Sequence, residues 1–132
     1  DSSRLVTIQF DVSMNQGMSW QVKPEMREMK VHPGRVYTTF YSARNKTAEE
    51  MVGQAVPSVA PIAANKYLVK TECFCFDNQT IAAGETVNMP LSFMLKPRLP
   101  PNVNVVTLSY TFFDITKNVS TANQLDSALA YK

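Results

Sequence analysis

The sequence predicts an all-β chain folded as an antiparallel sandwich. Three observations carry this reading: runs with a period of two, turn residues between them, and no helical run separating one from the next. The first run, "LVTIQFDV", alternates cleanly, with Val6, Ile8, Phe10 and Val12 on one face and Thr7, Gln9 and Asp11 on the other. "SWQVK" is a second, shorter run. "VYTTFYSA", Val36 to Ala43, is β-branched or aromatic at most positions, as half-buried strands prefer. "GQAVPSVAP" is extended, but Pro57 and Pro61 have no N–H to donate, which suits an edge or bulged strand. "KYLVKTECFCF" follows. Two further runs place Val87, Met89, Leu91, Phe93 and Leu95, then Val106, Leu108, Tyr110 and Phe112, on single faces. "MNQG", "HPGR", "RNKTAEE", "DNQ", "AAGE" and "PRLPPN" supply the turns. Roughly six to eight strands joined this way fit an immunoglobulin-like topology.

The strands occupy residues 1–117 as one domain, and 118–132 differ. There "STANQLDSALAYK" offers Ser120 as an N-cap and Leu125, Ala128 and Leu129 at helical spacing. It is short, so we expect a flexible tail or a weak helix.

Bulk properties narrow the function. The chain has 132 residues, 45% hydrophobic and 18% charged, with 13 basic and 11 acidic side chains for a net charge of +2. That balance lacks the basic footprint of a nucleic-acid binder. No apolar run approaches the roughly 18 residues that cross a membrane, and no signal-peptide pattern opens the chain. The abrupt start at Asp1 leads us to expect the soluble portion of a longer protein. No phosphate-cradling glycine loop and no catalytic triad can be assembled, so an enzyme is not expected.

Both cysteines fall in "KTECFCFDN", Lys70 to Asn78. On a regular strand, Cys73 and Cys75 project to one side with Cα atoms about 6.6 Å apart, and Phe74 and Phe76 project to the other. Two thiolates on one face can clasp a soft metal ion. Structural zinc wants four ligands and an iron–sulfur cluster normally four cysteines. Cu(I) accepts two or three, so it fits two cysteines and one histidine best. A redox pair is the weaker alternative, because the strand separation lies at the upper edge of disulfide geometry and no cation or helix start activates the thiols. The plainest alternative is core filling, since free cysteine is among the most buried residue types. Strict alternation back through Thr71, Val69 and Tyr67 points the cysteines inward. Outward sulfurs need a change of phase, most simply a bulge near Thr71–Glu72. The pattern leaves all three readings open.

Other candidates are weaker. His32 in "VHPGR" reads as a surface turn residue. Met18, Met26, Met29 and Met51 could lend thioethers to Cu(I), although methionine is more often core filler, as expected for Met89. Asn45, Asn78 and Asn118 begin glycosylation sequons, which matter only in a glycosylating compartment.

Four blocks in order, "GQAVPSVAP", "KTECFCF", "AAGETVNMPLSF" and "TLSYTFFDIT", resemble the CtaG-type cytochrome c oxidase assembly proteins, over roughly Leu5 to Thr116. The resemblance implies an immunoglobulin-like fold and Cu(I) bound through Cys73 and Cys75. It implies delivery of that copper to the copper B site of the oxidase catalytic subunit. It further implies an N-terminal membrane anchor and a domain facing the bacterial periplasm or the mitochondrial intermembrane space. Copper-loaded members dimerise through a shared copper–thiolate cluster. An upstream copper donor and a thiol reductant are implied partners. Family members usually carry another cysteine near the membrane segment, and this chain has none. The alternatives are a copper-free module that scaffolds oxidase subunits and a thiol-disulfide redox protein.

Overall fold

In a computed structural model the protein is described for residues 4–116, and the 118–132 tail reading, with Asn118, lies outside the described residues. Among the described residues nine strands form two facing sheets: β1 (Val6–Met14), β2 (Trp20–Pro24), β3 (Glu28–Val31), β4 (Val36–Asn45), β5 (Met51–Ala60), β6 (Leu68–Cys73), β7 (Gln79–Ile81), β8 (Thr86–Leu95) and β9 (Val105–Asp114). One sheet runs β3-β1-β9-β5-β7 and the other β2-β4-β8-β6. The sandwich is as expected. The strands not among the runs read in the sequence are β3 and β7, four and three residues long, too short to register a period of two. One pairing departs from the antiparallel expectation: β1 and β9 run parallel, Thr7 opposite Val105 through Met14 opposite Phe112.

Alternation decides what is buried. Val6, Ile8 and Phe10 of β1, Met89, Leu91, Phe93 and Leu95 of β8, and Val106, Leu108, Tyr110 and Phe112 of β9 all face the core. Aromatic rings make much of the core. The Tyr41 and Tyr110 rings meet edge to face at 5.6 Å, and Phe10 meets Phe93 at 5.9 Å. Such contacts add about 1 kcal/mol each beyond the area they bury. Trp20 of β2 closes one end over Gly53 of β5, where a Cβ would lie 2.5 Å from the indole. The "AAGE" turn takes Gly84 to φ +73, a conformation other residues avoid, and so returns β7 to β8.

Pro57 sits where its missing donor costs least. β5 pairs with β7 only through Met51–Gly53, while Gly53–Ala60 pair with β9. Among the described residues the rest of β5 is therefore an edge on one side, as expected from Pro57. The residues after β5 differ from expectation: Ile62–Tyr67 form a 3-10 helix where the run "KYLVK" suggested a strand already begun. Among the described residues no helix is long and apolar enough to cross a membrane.

Candidate metal centre

Among the described residues β6 is an edge strand paired only with β8, and its register slips between Lys70 and Glu72. A slip at this place is what outward sulfurs were expected to need, near Thr71–Glu72. Side chains brace it: Thr71 Oγ1 donates to Ser92 O (3.3 Å), and Ser92 Oγ donates to Glu72 Oε1 (3.3 Å). The slip does not simply turn the cysteines outward. Cys73 ends the strand with 6% of its surface exposed, and Phe74–Phe76 wind into a 3-10 turn. A single strand presenting both thiols to solvent is therefore corrected. One sulfur comes from a strand end and the other from the turn that follows it.

The turn changes the geometry in two ways. Winding draws the Cα atoms of Cys73 and Cys75 to 5.1 Å, closer than strand spacing, and the two sulfurs are joined as a disulfide. The expectation that a bridge would sit at the edge of allowed geometry assumed an extended backbone, and the turn removes that assumption. The turn also separates Phe74 from strict alternation. Phe74 is buried beside Cys73, stacked on Phe112 at 5.9 Å and tilted against Tyr41 and Tyr110 at 4.9 and 4.7 Å. Its ring anchors the turn in the aromatic core. The Phe76 side chain lies outside what the structure describes. Gln79 Nε2 donates to Phe74 O (3.3 Å) and ties the turn to β7.

The sulfurs differ in their surroundings. Cys73 Sγ takes the backbone N–H of Cys75 at 3.1 Å and lies 3.0 Å from the hydroxyl of Tyr110. Cys75, half-buried, lies 3.9 Å from the same hydroxyl. Neither sulfur of a disulfide carries a hydrogen, so Tyr110 O–H is the donor. Burial pushes the Tyr110 phenol well above its ordinary range, which keeps that proton in place. Tyr41 is raised in the same way, by burial and then by the neighbouring Tyr110 and Asp11. Sequence reasoning placed Tyr110 on the core face and missed its hydroxyl. The only available signal was a phenol in an otherwise apolar stripe.

The remaining candidates do not join the pair. Among the described residues no group of three His, Cys, Asp or Glu is placed to hold a metal. His32 is half-buried, its Nδ1 2.9 Å from Arg4 O. Met18 and Met51 are core residues, Met29 is half-buried and Met26 is exposed. Asn45 is fully buried, its Nδ2 donating to Glu49 O and Ile81 O at 2.8 Å, so its sequon is a structural device. Reduced, the corner offers two sulfurs from one turn, a soft donor set suited to Cu(I).

The family described as cytochrome c oxidase assembly protein CtaG/Cox11 matches residues 1–114. A cytochrome c oxidase assembly protein CtaG of Rhodopseudomonas palustris (strain BisB18) is 44% identical over 117 residues, covering 85% of this chain and 56% of that protein. The CtaG of Ruegeria pomeroyi is 38% identical over 85% of this chain and 61% of its own length. The mitochondrial COX11 of Arabidopsis thaliana is 34% identical over 91% of this chain and 44% of its own. The chain thus spans about half the length of these relatives. With a match over nearly the whole sandwich, cysteine turn included, the chain belongs to the CtaG/Cox11 family.

Proposed function

We propose that this domain is a copper chaperone: its reduced Cys73 and Cys75 bind Cu(I) as cargo and pass it to the copper B site of the oxidase catalytic subunit during assembly. The observation that carries this is the convergence of both sulfurs on one half-buried corner, in a chain whose relatives are named oxidase assembly proteins. Two protein ligands leave an open coordination position. An incoming histidine or thiolate can bind before either cysteine leaves, so the ion is never free. The role is that of a carrier, not a catalyst.

The disulfide holds no thiolate, so a reductant acts before loading, and a copper donor then supplies the ion. A third ligand comes from outside the described corner, and a second copper-loaded copy is the simplest source. The proposal places the domain beside the bacterial inner membrane on its periplasmic face, or on the intermembrane-space face of the mitochondrial one, held by an N-terminal anchor.

The test is direct. Reduced protein is loaded with Cu(I) and metal per chain is measured after desalting, together with the oligomeric state. We expect stoichiometric copper, lost in the Cys73→Ser/Cys75→Ser double variant. Copper retained in that variant ends the assignment.

The burial of Cys73 favours a second reading, a copper-free module that grips oxidase subunits with its cysteines as filler. Alkylation of the reduced, folded domain separates the two. Rapid labelling of Cys75 supports the metal site, and protection of both thiols supports filler.

A further inference from the structure

The two sulfurs are chemically alike in sequence but not in place. Among the described residues, Cys73 Sγ receives two donors, Tyr110 O–H at 3.0 Å and Cys75 N–H at 3.1 Å, while Cys75 Sγ has the more distant phenol at 3.9 Å. Cys73 is buried and Cys75 is half-buried at the turn. Attack on a disulfide needs access to one sulfur and stabilisation of the other as it leaves. The same turn supplies each requirement at a different atom. We propose that reduction of this disulfide has a fixed direction: a dithiol reductant attacks Cys75 Sγ, Cys73 departs as the sulfur that Tyr110 holds, and Tyr110 is a positioning residue for that step.

The balance is complete. A reductant thiolate bonds to Cys75 Sγ, and the bond between the cysteine sulfurs breaks. Its electron pair goes to Cys73, which leaves as a thiolate hydrogen-bonded by the phenol and the Cys75 amide. The second thiol of the reductant, as thiolate, attacks its own sulfur in the mixed disulfide and releases Cys75. The protein gains two electrons and the reductant ends as a disulfide. Tyr110 donates a hydrogen bond throughout and loses no proton. The inference rests on the copper reading only for why reduction matters, since loading needs both thiolates.

The experiment uses metal-free oxidised protein and glutathione, a monothiol that stops at the mixed disulfide. The mixture is quenched in acid within seconds, free thiols are alkylated, and peptides are mapped by mass spectrometry. We expect glutathione on Cys75 and the alkyl group on Cys73, by about tenfold or more. Glutathione on Cys73, or shared equally, overturns the proposal. Tyr110→Phe keeps the ring and removes the donor. Reduction by dithiothreitol should then slow by about tenfold with the thermal midpoint nearly unchanged, an effect that a packing role would not give. An unchanged rate in a folded variant removes Tyr110 from the step. The adduct map is made on the wild-type protein, so it decides the direction even where the variant does not fold. No copper enters these measurements, so failure of Cu(I) binding sinks the chaperone reading alone, and a reversed adduct sinks this one alone.

Discussion

Among the corners that carry the chain from the four-stranded to the five-stranded sheet, the one after β4 and the one after β6 are built from different chemistry. The first is locked by Asn45. Its Nδ2 donates to Glu49 O and Ile81 O, while its Oδ1 accepts from Thr47 N (2.9 Å) and Thr47 Oγ1 (2.7 Å). Every hydrogen-bonding position of that buried amide is filled by groups that do not change. The second corner is locked by Phe74 in the aromatic core, and its sulfurs meet one phenol and one amide. A fully satisfied amide makes a permanent joint. Sulfur can exchange its partner for another sulfur or a soft metal while the ring beside it stays fixed. The difference teaches that the cysteine corner divides its labour, with the fold held by carbon and the chemistry left to sulfur.

That division can be broken by substitution. The largest effect belongs to Phe74→Ala, which empties a site touching three other rings and should cost about 4 kcal/mol in urea unfolding. A loss below about 1 kcal/mol would mean that the ring does not hold this corner. Asn45→Ala comes next, at about 3 kcal/mol, because it strands the buried carbonyl of Ile81 and the amide of Thr47 together. The smallest effect is expected from the Cys73→Ser/Cys75→Ser double variant. Its disulfide closes a loop so short that the entropic gain is about 1–2 kcal/mol. Should the double variant lose as much stability as Asn45→Ala, the sulfurs are a staple and the contrast between the corners fails.

Much of this was legible in the residues. Period-two alternation identified the long strands and their buried faces, because a strand with one face in the core has no other way to sort its side chains. The phase problem at the cysteines was visible too, since Thr71, Val69 and Tyr67 pointed the thiols inward, and the register does slip between Lys70 and Glu72. The 3-10 turn was not legible. Cys-Phe-Cys-Phe has strand-forming composition, and only tertiary packing of Phe74 against Tyr41, Tyr110 and Phe112 bends it. Tyr110 lies 35 residues beyond Cys75 and meets the sulfurs from the opposite sheet, a contact no local pattern encodes. The structural role of Asn45 was hidden for a similar reason: a sequon is a local motif, and burial is not a local property.

The side-by-side, same-direction course of β1 and β9 fixes where the molecule can be tethered. The backbone enters at the pole marked by Val6 and Val105 and leaves at the pole marked by Met14 and Phe112. A leash on the first strand and a leash on the last therefore pull from opposite ends, about 25 Å apart by strand rise. Tyr110, opposite Val12, stands between those poles, and the sulfurs stand with it. On the proposed carrier reading, a domain moored at its first strand would hold its cargo on the flank of the sandwich, roughly 17 Å from the mooring pole.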